Sequence, residues 1–270
     1  MNTQMSWVNK LSVTLGFMFL YVPMVIVVIY SFNKSKLVTI WGGWSIKWYG
    51  ELARNEAFLS SAIISFKIAL VVATLAVILG AMAAFVLVRA GRFWGRTLFS
   101  ALIYAPLVMP PVITGLSMLL LFIGVNLDRG MNTIIIAQTT LAISFVAVVI
   151  ASRLLSYDQA LDEAALDLGA THFETFRLVT LPIIAPAVIS GWLLAFSMSL
   201  DDLVIASFTS GPNATTLPLR LYSTVRSGVS PQINALSTIV IAIVSLGMLS
   251  AWLITVRSHR RMQANEGIAD

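Results

Sequence analysis

Six apolar runs, at about residues 11–32, 60–88, 98–124, 133–155, 183–208 and 235–256, set the limits on what this chain can fold into. A helix needs about 20 mostly apolar residues to cross the hydrocarbon core of a bilayer, and each run reaches that length. The expected fold is an all-α integral membrane protein with six transmembrane helices, residues 1–270 forming a single transmembrane domain. Only 11% of the residues are charged, against about a quarter in ordinary soluble domains. The first run is too long and too uniformly apolar for a secretory leader, and no small-residue cleavage site follows it. It reads as a retained first span.

Orientation follows from the basic residues in short connections. Arg89, Arg92 and Arg96 crowd the connection after the second run, and Arg257, Arg260 and Arg261 follow the sixth. The connection after the third run has Arg129 alone. Both termini are therefore expected in the cytoplasm. Lys34, Lys36, Lys47 and Arg54 in the loop 33–59 weaken this bias without reversing it. Trp41, Trp44 and Trp48 in that loop fit an outer interfacial belt.

Several function classes drop out. The net charge of +5 comes mainly from loop residues, so nucleic acid is not an expected partner. No cysteine is present, which excludes disulfides, iron–sulfur ligation and thiolate catalysis. The two histidines, His172 and His259, are far apart, so no histidine-pair metal site is expected. The segment from Gly91 to Thr97 faintly echoes a phosphate loop, but its spacing is short and the lysine is missing. No Ser/His pair, metal cluster or nucleophile motif points to an enzyme.

With six spans and the N-terminus inside, residues of about 156–182 form a cytoplasmic loop between the fourth and fifth runs. Ser156 with Gln159 predicts a capping box for a first short helix, and Thr171 with Glu174 predicts a second. Leu161, Ala164, Ala165 and Leu168 recur at helical spacing as one apolar stripe, with Asp162, Glu163 and Asp167 off it. Gly169 supplies the left-handed residue that ends the first helix. Phe173 and Phe176 line the second helix, and Pro182 marks the start of the fifth span. So short a helical pair needs a surface to dock against. That surface is either another subunit or the cytoplasmic ends of this chain.

These residues carry a resemblance. Glu163-Ala164-Ala165, Gly169-Ala170, Phe176 and Leu181-Pro182 resemble the EAA loop of binding-protein-dependent ABC transporter permeases, in order, spacing and position before the penultimate span. The resemblance implies six helices of the type I ABC importer permease kind and a bacterial inner-membrane location. It also implies that Glu163, Ala164, Ala165, Gly169, Phe176, Leu181 and Pro182 couple this chain to an ATPase. A second, homologous permease, two ATPase subunits and a periplasmic binding protein are the implied partners. ATP and Mg are expected on the ATPase, with no cofactor on this chain. Tyr21-Val22-Pro23, Ile29 to Asn33, Lys47-Trp48-Tyr49, Ser199 to Asp202 and Ser207-Phe208 through Gly211-Pro212 narrow the resemblance to permeases of polyamine importers. The most similar kind is the second permease of putrescine systems. Those permeases often carry an acid where Pro111 stands here, so no substrate contact is carried over to that position.

Asp201 and Asp202 fall late in the fifth run. An acid at mid-membrane costs roughly 2.5–3.5 kcal/mol on insertion scales, so it normally faces protein or water. Adjacent helical residues diverge by about 100°, so a regular helix cannot aim both into one path. A local break would resolve this, with Ser199 and Asp202 capping a restarted helix. The other reading has at least one carboxylate attracting a cationic substrate, with Trp48, Trp192 and Tyr222 as candidate aromatic faces. Ser199, Asp201, Asp202, Trp48 and Tyr222 are the candidate substrate residues. Lys67, inside the second run, either snorkels or pairs with an acid.

The expected function is a permease subunit moving a polyamine, putrescine first, inward across the inner membrane. The alternatives are another small cationic or organic solute, or an ion-coupled secondary carrier. A carrier would have no ATPase for the loop to dock against.

Overall fold

A computed structural model describes residues 6–37, 40–227, 231–243 and 245–246. Among these residues the regular structure is helical, apart from an isolated antiparallel bridge between Asn33 and Trp44. The chain forms two compact units, Met1–Glu56 with Ser223–Asp270, and Ala57–Tyr222.

In the first unit, α1 (Trp7–Ser31) is apolar along its length and almost wholly exposed within this chain, as a lipid-facing span would be. The loop after it is tied around Asn33. The Asn33 Nδ2 donates to the Ile40 carbonyl at 2.8 Å, and its Oδ1 accepts from the Ser35 and Gly42 amides at 3.1 and 2.8 Å. The Asn33 carbonyl accepts the Trp48 indole N–H at 2.6 Å. Trp48 opens α2 (Lys47–Ala53) and is only 3% exposed. The expected aromatic belt is therefore corrected to Trp41 and Trp44, which are exposed and packed edge to face at 5.0 Å. The sixth run begins in a shorter helix, Pro231–Ile243; residues 244 and 247–256 of the run, with Arg257, His259, Arg260 and Arg261, lie outside the described residues.

The second unit contains α3 (Glu56–Arg89), α4 (Arg96–Val108), α5 (Pro111–Gly124), α6 (Met131–Leu155), α7 (Ala160–Asp167) and α8 (His172–Thr175). A π-helical turn (Phe176–Thr180) then leads into α9 (Leu181–Asp201), α10 (Val204–Thr209) and the first part of α11 (Leu217–Ser227), which runs on from Ser223 into the first unit. The core lies where α3, α6 and α9 meet, with Ile68, Val72, Val146, Ile150, Ile184 and Ala195 buried. Lipid offers helices no hydrophobic drive to associate, so close backbone approach over small residues matters most. Gly80 on α3 and Gly191 on α9 provide it. A Cβ at Gly80 would lie 2.9 Å from the Val146 Cβ, and one at Gly191 would lie 3.2 Å from the Val146 Cγ1.

The third run departs from expectation. It is two helices, α4 and α5, bent by 115° at Met109-Pro110. Pro110 and Pro111 lack the amide protons a continuous helix needs, and each forces the residue before it into extended backbone. Met109 and Pro110 accordingly have ψ of 132° and 136°. The fifth run is also broken, between α9 and α10. Four helices among the described residues are long and apolar enough to cross a membrane, or five if the bent pair counts as one span.

Replacing Gly80 with alanine should drive a methyl into Val146 and lower thermal stability in detergent by about 1–3 kcal/mol. Adding Val146→Ala should restore part of that loss, whereas additive losses would mean that the α3–α6 contact is not the tight one.

Candidate functional site

The break in the fifth run is built around Asp202. Helix α9 ends at Asp201, Asp202 is extended (φ −71°, ψ 111°), and α10 restarts at Val204. The first amides of a helix have no partner within it, and in lipid no water replaces one. Asp202 supplies both acceptors. Its Oδ1 accepts from the Ile205 amide at 3.1 Å and its Oδ2 from the Ala206 amide at 2.9 Å. Gln138 on α6 then braces the break, donating from Nε2 to the Asp202 Oδ2 at 2.7 Å. The Oε1 of Gln138 accepts the buried Ser199 hydroxyl at 2.6 Å. Ser199 therefore braces the break through Gln138, and the capping falls to Asp202.

Asp201 has no such task. Its side chain is exposed, and among the described residues no hydrogen bond or ion pair holds it. It lines a cavity of about 310 Å³ together with Pro111, Gln138, Met198, Ser199 and Asp202. That size suits a small ligand. The walls are otherwise mostly apolar, from Val72, Leu141, Ala142 and Ala195 among others. An unpaired carboxylate at the mouth of an apolar pocket can hold a cation and seat an alkyl chain beside it.

The aromatic candidates are dispersed. Trp48 is buried, with its indole N–H taken by the Asn33 carbonyl. Tyr222 is exposed on α11 and does not line the Asp201 cavity. Trp192 stacks on Phe196 at 5.1 Å and reaches Thr74 on α3. Lys67 projects from the exposed side of α3 and forms no ion pair among the described residues. Gln138 escaped the sequence reading. Its signal was a lone amide near the start of the fourth apolar run.

The cytoplasmic-loop candidates lie together. No box forms at Ser156 and Gln159. Ser156 ends α6, donating its hydroxyl to the Arg153 carbonyl, and Asp158 Oδ1 accepts from the Ala160 amide at 3.0 Å instead. Helix α7 closes as a Schellman turn, with Ala170 N–H on the Ala165 carbonyl and Gly169 N–H on the Leu166 carbonyl. Gly169 sits at φ +90°, as its left-handed role requires. The second box does form. Glu174 accepts from the Thr171 amide at 2.8 Å, and the Thr171 hydroxyl from the Glu174 amide at 3.3 Å. Phe176 packs edge to face on Phe85 at 5.5 Å, and Leu181-Pro182 open α9.

The apolar stripe of α7 is turned outward. Leu161 is 49% and Leu168 90% exposed, Glu163 and Ala164 are exposed, and Ala165 is half-buried. Phe173 beside them is 69% exposed. Contiguous exposed apolar residues rimmed by polar ones mark an interaction surface. Within this chain nothing among the described residues covers this one.

Residues 76–264 match the family model described as the binding-protein-dependent transport system inner membrane component. The chain is 56% identical to the putrescine transport system permease protein PotI of Escherichia coli (strain K12), over 92% of this chain and 90% of that one. It is 40% identical to the spermidine/putrescine transport system permease protein PotC of Haemophilus influenzae (strain ATCC 51907 / DSM 11121 / KW20 / Rd), over 89% and 93%. Among solved structures it resembles a chain of a bacterial ABC transporter involved in the import of alginate, with TM-score 0.68 and 16% identity, covering 91% and 94%. At that identity the likeness speaks to the fold alone.

If Asp202 serves as the cap, asparagine should keep one of the two capped amides and lose the other, since it has one acceptor oxygen where aspartate has two, and so should cost less than alanine. Alanine should cost about 1–2 kcal/mol of stability for the lost cap, with Gln138 left short of a partner besides. Thermal unfolding of the two variants in detergent checks this. Equal stability would remove the capping role.

Proposed function

Because the chain belongs to the family of binding-protein-dependent transport system inner membrane components, we propose that it is the permease subunit of an ATP-driven importer that carries polyamine, putrescine first, across a bacterial inner membrane. The observation that carries the substrate reading is the free carboxylate of Asp201 at a helix break, opening on an apolar-walled cavity. Putrescine is an alkyl chain between two ammonium groups, and such a site offers a counter-charge and a wall for the methylenes. The relatives' names support the same substrate class.

In this reading the chain has six spans with both termini in the cytoplasm. Together with a homologous permease it forms the membrane pathway. Two ATPase subunits bind Mg and ATP, and a periplasmic polyamine-binding protein delivers the substrate. The chain itself hydrolyses nothing. The outward apolar stripe of α7, with Glu163 beside it, is the surface that meets an ATPase subunit, and the Schellman turn at Gly169 sets the angle between α7 and α8.

Labelled putrescine uptake, in cells lacking and then regaining this chain, tests the substrate. Asp201→Asn keeps size and hydrogen bonding but removes the charge. It should assemble normally yet lower uptake per complex on the order of tenfold, the factor that about 1.4 kcal/mol of lost attraction produces. Parental uptake by that variant would rule out Asp201 as a substrate contact. Restored uptake of a different solute, without putrescine, would redirect the substrate class.

Gly169→Val places a β-branched residue at φ +90°, a conformation it rarely adopts. The variant should reach the membrane but lose most substrate-stimulated ATP hydrolysis in the assembled complex. Glu163→Lys, which reverses a charge at the same surface, should act in the same direction. Normal stimulation in both would show that this loop does not carry the signal.

A further inference from the structure

Helix α7 has no fully buried residue, and of its apolar stripe only Ala165 is half-buried, so the stripe does little to hold it to its own chain. One inward-turned acid does that instead. The Asp162 Oδ1 accepts two hydrogen bonds, from the Tyr157 hydroxyl at 2.6 Å and from the Thr180 hydroxyl at 2.8 Å. Its Oδ2 lies 3.1 Å from a guanidinium nitrogen of Arg89, with both side chains about one-fifth exposed. That nitrogen is buried and makes no hydrogen bond, so its attraction to Asp162 is that of charge for charge. The guanidinium also lies 5.1 Å over the Tyr157 ring. Burial first, then the Asp162 carboxylate, push the Tyr157 hydroxyl up to about 12. It therefore stays protonated at neutral pH and remains a donor.

The three partners come from three places. Arg89 ends α3, Tyr157 follows α6, and Thr180 ends the π-helical turn at the root of α9. A π-turn is a local misfit in the helical ladder and is frequently found at functional sites. Beyond it α9 runs unbroken for 21 residues to Asp201, about 30 Å at 1.5 Å per residue. A displacement of α7 thus reaches the base of the helix whose tip carries the cavity acid.

We propose that Asp162 is a positioning residue for coupling: it ties α7 to the ends of α3 and α6 and to the root of α9, so that movement of the loop is transmitted along α9 to the break at Asp201. This rests on the permease reading above. Glu163, its neighbour in sequence, faces outward and belongs to the docking surface, so two adjacent acids have opposite assignments.

The test uses the whole complex, purified with its ATPase and supplied with putrescine-loaded binding protein. The parental complex should hydrolyse ATP faster when the loaded binding protein is added. Asp162→Ala should assemble and keep its unstimulated hydrolysis, but lose stimulation and uptake per complex by about fivefold or more, within the usual range of coupling between sites. Arg89→Ala should act in the same direction. The double variant should be little worse than Asp162→Ala alone, because both changes cut one link. Asp162→Glu, which keeps the charge, should recover part of the loss. A merely structural role would instead reduce the amount of complex and leave stimulation per complex intact, and that result overturns the proposal. Should Asp162→Ala fail to assemble, Asp162→Asn decides, since it still accepts from Tyr157 and Thr180 and loses only the attraction of Arg89. Full stimulation in Asp162→Asn and in Arg89→Ala overturns the proposal but leaves the permease reading standing. An unstimulated parental complex overturns both.

Discussion

A helix that stops inside an apolar span leaves amides that lipid cannot satisfy, and the carboxylate of Asp202 satisfies them here. Much of the site follows from that bond pair. Once Asp202 is committed to Ile205 and Ala206, α9 can end one residue earlier, and Asp201 is left at its tip with no structural duty. Gln138 then fixes the break laterally by holding Asp202 with one end of its amide and Ser199 with the other. A buried polar network is costly if partly satisfied and rigidifying if complete. The Gln138 amide, the Ser199 hydroxyl and both Asp202 oxygens all have partners, so the network fixes the break.

Hydropathy made the spans legible because crossing a bilayer is a demand on length and composition alone. It could not show where a span bends. The Pro110-Pro111 pair was visible, yet a run-length reading passes over it, since both residues are compatible with an apolar stretch. Tryptophan in a loop reads as interfacial by composition, but Trp48 is drawn inside by a single acceptor, the Asn33 carbonyl, that no pattern announces. The π-turn at Phe176–Thr180 had no local signal at all. The paired acids were legible as a helix break with one cap, because one regular helix cannot aim both in one direction. Asp202 was legible as a cap together with Ser199; that Ser199 instead binds Gln138, 61 residues away in the chain, was beyond sequence.

Helix α7 shows a more general limit of periodicity. An apolar stripe is ordinarily read as the buried face and the charges opposite it as solvated. Here Leu161 and Leu168 face outward while Asp162 is drawn in by Arg89, Tyr157 and Thr180. The usual reading fails because it assumes that the chain's own core is the nearest surface. With its apolar face left uncovered by this chain, the attachment of α7 to its own chain is polar.

The two ends of α9 are consequently held in the same way, each by a carboxylate from which the helix does not separate without losing hydrogen bonds. Asp162 takes the Thr180 hydroxyl at the root, and Asp202 takes the α10 amides just past the tip. Between them, Gly191 sits against Val146, which also meets Gly80 of α3, so the middle of α9 has little freedom to slide without moving its neighbours. A rod held at both ends and tightly packed at its centre moves only together with its neighbours. The π-turn at its root is where the regular ladder gives way, while the break above it is fixed by the Gln138 network. Asp201, the last residue of α9, moves with that rod and lines the cavity beside the fixed break.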